Sequence, residues 1–425
     1  MSNFEEYIRQ GEPQEKERGY AWQTAIGLQA VDGLKPSDYL IATARQHIEG
    51  DITIDEVRKL IESYYESKEN RVADTEEADK VSANITKLLS ERTFAFTVAG
   101  FTAVHRHIFD GVFTFAGKIR DYNITKREWV LSGDTVLYVA APDIRKAIEY
   151  DIEQEKAFDY TELNMRQITA HITDFVSGLW QIHPFAEGNT RTTAVFTIQY
   201  LRSMGFDVEN DLFAGHSWYF RNALVRANYQ NVQKGIKRNP EYLERFFRNL
   251  LMKEKNELKN RYLLLQYPEE FKEVEKQAEN RTSTEQPTEQ PTEQPTEQPT
   301  EQPTEQLTEQ PTEQPTEQPT EQLTEQLTEQ PTEQPTEQLT EQPTEQLTEQ
   351  LTEQEQLLLS VMGNEHFTLK MLMGKVRLKH RPTFLANYIT PALKDGLVKV
   401  LYPEKPNHPR QKYLLTVKGM ALRNK

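Results

Sequence analysis

The feature that most constrains this chain is a run from Thr284 to Gln354, where Thr-Glu-Gln-(Pro/Leu) repeats eighteen times. Of the 17 slots between units, 11 hold Pro and 6 hold Leu. A proline every fourth residue removes helical hydrogen bonds and clashes with the preceding turn. The Leu-free stretches have nothing to bury against the entropy of ordering. The run therefore reads as an extended, solvated spacer of polyproline II character. It divides the 425 residues into a long stretch before it and a short one after it. Its last units, from Leu347, lose their prolines and lead toward the helix that opens the final unit.

The spacer also accounts for the charge. The chain has 66 Asp and Glu against 50 Lys and Arg, and the repeats hold 18 of those Glu and no cation. The folded parts are therefore close to neutral, and the net charge of -16 is no guide to their ligands. The absence of cysteine excludes a disulfide framework, thiol catalysis and Cys-based zinc sites. No apolar run approaches the ~18 residues of a membrane span. Met1 to Pro13 is polar and acidic, unlike a secretory signal. These features predict a soluble cytoplasmic protein with no membrane partner.

Four segments follow: a small helical module at 1–70, a mainly helical domain at 75–280, the linker at 281–354, and a third domain at 355–425. In the first, Asp32-Gly33 and Glu49-Gly50-Asp51 are turn signals, and Ser37 and Thr53 are predicted N-caps. The second is interrupted by Tyr122–Ala140, whose alternation breaks at Ser132-Gly133-Asp134, a hairpin signature. A lone hairpin needs something to pack on or bind, so it is a candidate docking element. In the third, helical runs at Gln356–Met362, Leu369–Val376 and Arg381–Lys394 precede alternating segments at Leu397–Leu401 and Lys412–Val417. That is the order of a winged helix. From Glu365 onward, 13 Lys or Arg face 3 Asp or Glu, an excess suited to DNA.

The sharpest local signal is His183-Pro184-Phe185-Ala186-Glu187-Gly188-Asn189-Thr190-Arg191. It joins an amphipathic helix bearing Ile168, Ile172, Phe175, Val176 and Leu179 to one whose inner face holds Ala194, Val195, Ile198 and Leu201. A helix N-terminus with a glycine beside it suits a phosphate, and Arg191 can grip phosphate oxygens in a bidentate way. Glu187 next to that anion calls for a divalent cation between them, and Mg²⁺ is commonly held by one carboxylate plus phosphates. His183, with an ordinary pKa near ~6.5, suits a general base for a protein hydroxyl. Phe185 is expected to be a buried anchor.

"HPFAEGNTR" resembles the active-site motif of the Fic (filamentation induced by cAMP) family, His-x-Phe-x-(Asp/Glu)-Gly-Asn-Gly-Arg-x-x-Arg. The segment 104–126 resembles that family's helix leading into its flap. The hairpin at 122–140 then corresponds to the flap, which aligns a target by strand addition through Trp129, Val130, Leu131, Val136, Leu137 and Tyr138. The segment 221–231 resembles its nucleotide-pocket helix, with Asn222 and Tyr229. The likeness covers roughly 80–250. Residues 20–66 resemble the antitoxin-like inhibitory module of some members, and 355–425 the winged helix of others. The resemblance implies a mainly α fold with a β-hairpin flap, and transfer of AMP from ATP to a Tyr, Ser or Thr hydroxyl of a target protein. It implies His183 as base, Glu187 on Mg²⁺, Gly188 and Asn189 stabilising developing charge, and Thr190 and Arg191 in the phosphate site.

Two positions depart from the pattern. Its second Gly is Thr190 here and its final Arg is Ala194, which removes a cation expected at the γ-phosphate. The best inhibitory register, Leu28 to Gly33, supplies Asp32 where the family has Glu. That carboxylate is expected to face a site lacking its arginine and to inhibit weakly or by occlusion. The alternative function these departures suggest is a DNA-binding regulator whose Fic unit senses a nucleotide without efficient transfer.

Overall fold

The computed structural model describes residues 4–67, 73–91, 93–208, 212–265, 351–406 and 408–423. The spacer expectation therefore lies outside the described residues up to position 350, as do 266–280.

The N-terminal helices are set by the capping residues the sequence offers. Helices α1 (Glu5–Gln10) and α2 (Pro13–Gly27) lead into a 3-10 turn, Leu28–Asp32, which Gly33 ends at φ 72°. Ser37 caps α3 (Asp38–Glu49) and Thr53 caps α4 (Ile54–Glu66). Thr53 and Glu56 complete a reciprocal capping box, a feature worth about 1 kcal/mol. Gly50 stops α3 at φ 89°. Phe4, Trp22, Leu40, Ile48, Val57, Ile61 and Tyr65 share a small core of their own with Ala83. Asp79 ties this module to α5 (Ala73–Ser90): Ser37 N donates to its Oδ1 at 2.9 Å and Tyr65 OH to its Oδ2 at 2.7 Å.

The main core is built from α5, α6 (Val98–Ile108), α7 (Ile144–Ala157), α8 (Met165–Ile182), α9 (Asn189–Ser203), α10 (Leu212–Asn228) and α11 (Glu241–Met252). The sequence predicts one buried face for α9. Instead, every residue from Asn189 to Leu201 is buried, so α9 is the axis around which the others pack. Several of its polar residues bond inward. Thr192 Oγ1 donates to Gly188 O at 2.9 Å and Gln199 Nε2 to Leu88 O at 3.3 Å. A helix hydrophobic only on one stripe would sit at the surface, but one that bonds several of its polar groups internally can lie at the centre, here with Thr197 Oγ1 buried and unpartnered.

The segment 122–140 turns back on itself at Ser132-Gly133, both in the left-handed region. Glu128 N donates to Asp134 O at 2.9 Å and Gly133 N to Glu128 O at 3.0 Å, while Trp129–Leu131 forms a 3-10 turn. Beyond this closure the arms are extended without a strand ladder. Several of their carbonyls are taken by side chains outside the segment: Arg120 Nη1 donates to Tyr122 O, Arg120 Nη2 to Val139 O and Gln181 Nε2 to Leu137 O.

The C-terminal unit follows the expected order. It comprises α12 (Glu353–Val361), α13 (Leu369–Val376), α14 (Arg381–Phe384), a π turn (Leu385–Ile389), α15 (Thr390–Lys394), β1 (Val398–Val400) and β2 (Tyr413–Leu415). Strands β1 and β2 pair antiparallel, with Lys399 opposite Leu414. The N-cap of α12 is Thr352, the threonine of the last repeat, boxed with Glu355. A further helix, α16 (Val417–Arg423), was not expected from the sequence. It buries Ala421 in the main core, and Lys418 N donates to Met204 O at 3.3 Å. Gly205 and Gly396 meet there at positive φ, so close that a Cβ on either would lie 2.2 Å from the other's carbonyl oxygen.

Candidate active site

The loop between α8 and α9 is held in an unusual shape by named contacts. His183 ends α8 in the left-handed conformation (φ 50°, ψ 58°) and Gly188 precedes α9 at φ 76°. A Cβ on Gly188 would lie 2.1 Å from Phe109 Cζ, so the aromatic ring demands glycine as much as the backbone does. Phe185 is fully buried and stacks on His105 at 3.8 Å between ring centres.

His183 is buried between Tyr138, 4.2 Å away, and Trp180, edge-on at 5.2 Å. Its pKa is held well below the usual 6.5, first by burial and then by the positive charges of Lys126, Arg221 and Arg120. The imidazole is thus neutral, the form a base requires. Its Nδ1 is buried without a hydrogen-bond partner.

Asn189 does not point its amide toward a ligand. Its Oδ1 accepts from Phe185 N at 2.9 Å and its Nδ2 donates to Phe185 O at 2.8 Å. Both ends of the amide close the loop. Thr190 is likewise occupied, its Oγ1 accepting from Trp180 Nε1 at 2.9 Å. The departure from glycine therefore adds a bond between α8 and α9. Ala194 is fully buried.

Arg191 is almost wholly buried and is engaged on every side. Its Nη1 donates to Gln29 Oε1 at 3.0 Å and its Nη2 to Glu77 Oε1 at 2.7 Å. Its Nε lies 2.8 Å from Asp32 Oδ2, an ion pair too poorly aligned to count as a hydrogen bond. The guanidinium also lies over the Phe109 ring at 4.8 Å. Asp32 was expected to face a site without its arginine. It reaches the other arginine of the motif, because the 3-10 turn at Leu28–Asp32 lies against α9 and α10. There Gly27 packs on Ala214 and its carbonyl accepts from Ser217 Oγ at 2.7 Å.

Glu187 is half-buried, and both its oxygens face Lys126 Nζ, at 3.0 and 3.2 Å. Among the described residues no group of three or more His, Cys, Asp or Glu forms a metal centre. The loop thus offers one carboxylate, already turned toward a cation. That donor set fits Mg²⁺ arriving with phosphates better than a resident ion.

Several residues that position this loop carry no sequence signal. Arg120 donates Nε to His183 O at 2.8 Å, besides its bonds to both arms of the 122–140 segment, and its N donates to Pro184 O at 2.9 Å. His105 Nδ1 accepts from Gly117 N at 2.8 Å, so its Nε2 carries the proton that meets Glu187 O at 3.0 Å. Burial lowers its pKa to about 4.

The other predicted positions lie farther along the walls. Asn222 is buried, with Nδ2 donating to Asn260 Oδ1 at 2.8 Å and Oδ1 without a partner. Tyr229 OH donates to Asp134 Oδ2 at 2.6 Å, fastening α10 to the tip of the 122–140 turn. In that segment Val130, Leu131 and Val136 belong to the core and Tyr138 covers His183, so their side chains are buried within the chain. Trp129, 49% exposed, and Leu137, 84% exposed, reach solvent.

Residues 95–201 match the Fic/DOC family, and residues 353–416 match the family described as filamentation induced by cAMP protein Fic-like, C-terminal domain. Residues 282–329 and 322–356 match the PT disordered repeat. The chain therefore carries a Fic/DOC domain followed by a Fic-like C-terminal domain. Among solved structures, a Fic family protein from Desulfovibrio desulfuricans G20 is 15% identical with a TM-score of 0.38, covering 97% of this chain and 94% of that one. The N-terminal Fic domain of a putative cell filamentation protein from Bartonella quintana is 19% identical with a TM-score of 0.33, covering 44% of this chain and 85% of that one. The BepC protein from Bartonella tribocorum, solved with AMPPNP, is 16% identical with a TM-score of 0.32, covering 43% and 90%.

Proposed function

We propose that the Fic/DOC domain transfers AMP from ATP to a Tyr, Ser or Thr hydroxyl of a target protein, and that residues 1–70 restrain it. The observation that carries this reading is a neutral, buried imidazole at one end of the 183–191 loop and a guanidinium in the first turn of the helix at its other end. His183 takes the proton of the incoming hydroxyl. The oxygen forms its bond to the α-phosphorus as the bond to the pyrophosphate oxygen breaks, and the pyrophosphate departs. Arg191 and the N-terminus of α9 hold the phosphates, with the loop fixed by Asn189, Thr190 and Arg120. Mg²⁺ on Glu187, when bound, would neutralise charge on the leaving group. The chain's share is mostly placement and charge stabilisation.

The test is label transfer by the full chain with Mg²⁺. Label from α-labelled ATP should reach protein, with a mass gain of about 329 for AMP. Transfer from the γ position, or none from any α-labelled nucleotide even after residues 29–32 are displaced, overturns the reading.

A second reading adds DNA as a partner of 355–425, as a winged helix. Between Glu365 and Asp395 the chain has six Lys or Arg and no acid, and all six are exposed. They fall on α13, the turn after it and the helix from Arg381, where helix-turn-helix proteins meet phosphates. The full chain should bind duplex DNA with steep salt dependence. Replacing Lys379 and Arg381 by Glu should flatten the log–log salt slope by about 2. No binding at low salt removes this reading and leaves the first untouched.

A further inference from the structure

The motif's missing cation raises the question of what replaces it, since Ala194 is fully buried and can contact no ligand. Four cations surround the loop. Arg120 has Nε, Nη1 and Nη2 all bonded to main-chain carbonyls, so turning it would dismantle the loop. Arg221 pairs at 2.8 Å with Glu128, a buried carboxylate that also accepts from Tyr138. Withdrawing Arg221 would leave that charge buried and unpaired, a costly state. Arg191 is the motif's own arginine. Lys126 differs from all three. Its partner among the described residues, Glu187, is 44% exposed, so either can separate into water, and Lys126 keeps 30% of its own side-chain surface. It also stands beside the residue expected to face a metal-bound phosphate, and its charge reaches His183.

Resting on the nucleotide-transfer reading, we propose that Lys126 is the phosphate-binding cation the motif lacks, swinging from Glu187 to the distal phosphates of a bound nucleoside triphosphate. The ammonium and the metal then exchange places at Glu187: the carboxylate released by Lys126 is the one free to take Mg²⁺. Because Lys126 lies on the same segment as Trp129 and Leu137, the surface that would receive a target also carries a contact to the nucleotide.

The experiment is equilibrium binding of ATP and of AMP to the full chain with Mg²⁺, followed by calorimetry or fluorescence. Lys126→Ala should weaken ATP about ten- to a hundredfold, as loss of a charged hydrogen bond does. AMP, which lacks the distal phosphates, should change by no more than about twofold. Lys126→Arg should recover part of the ATP affinity. Equal weakening of ATP and AMP would make Lys126 a prop for Glu187 and overturn the proposal. So would an ATP affinity of Lys126→Ala equal to that of a wild type that binds ATP. Failure to bind either nucleotide, in the wild type and also with residues 29–32 displaced, overturns the underlying reading as well.

Discussion

Replacing His183 with Ala is expected to lower label transfer by about 10²–10⁴-fold, the contribution of a well-placed general base. Nucleotide affinity should remain, because the phosphates are held by Arg191, Lys126 and the start of α9. The pH dependence separates a base from a structural ring. Burial and three neighbouring cations hold the pKa of His183 well below 6.5. A group shifted downward keeps its neutral form as pH falls. The wild-type rate should therefore not decline between pH 7.5 and 6, where an unperturbed histidine would already be half protonated. A rate that falls through pH 6.5 in that window means the ring is solvated during turnover. A His183→Ala variant that labels as fast as wild type removes the assigned base altogether.

What the sequence made legible, and what it did not, divides along physical lines. Caps and turns were readable because they depend on neighbours in the chain: Ser37, Thr53 and Gly50 do what their types suggest. The order of the C-terminal helices and strands was readable from periodicity for the same reason. The motif was readable because its spacing is local. Its partners were not. Arg191 meets Gln29, Asp32 and Glu77 across separations of more than 100 residues, and no local pattern encodes such a meeting. The all-round burial of α9 was hidden by its threonines, which read as surface until Thr192 is seen bonding back to Gly188 and Thr190 accepting from Trp180. The side-chain bonds of Asn189 were hidden because a motif tells which residue is needed but not that its amide closes the loop. Helix α16 was missed because the seven residues Val417–Arg423 gain their stability from packing, Ala421 in the main core and Met420 and Leu422 against the C-terminal core, not from their own pattern.

Asp32→Ala combined with Glu77→Gln is expected to raise label transfer by about ten- to a hundredfold. The argument turns on Arg191, which cannot hold a phosphate while its guanidinium is filled by one amide and two carboxylates. In the closed state these carboxylates gain charged hydrogen bonds or ion contacts. In an open state they regain water, for Asp32 and Glu77 keep 35% and 23% of their side-chain surface even when closed. Removing them thus disfavours closure more than opening. A charged hydrogen bond contributes about 1.5–3 kcal/mol, and the two losses will not add fully because they share one partner. A restraint that leaves a small open fraction converts that loss into a proportional gain of competent enzyme. The gain should appear in the rate at subsaturating ATP and shrink as ATP rises, since the nucleotide competes for the same guanidinium. Asp55→Ala, which removes an exposed carboxylate of the same module paired with Lys87, should leave the rate as it is. If the double variant labels no faster than the parent, capture of Arg191 is a structural contact and not a restraint. If it labels more slowly, the two carboxylates orient Arg191 for the phosphate instead of withholding it.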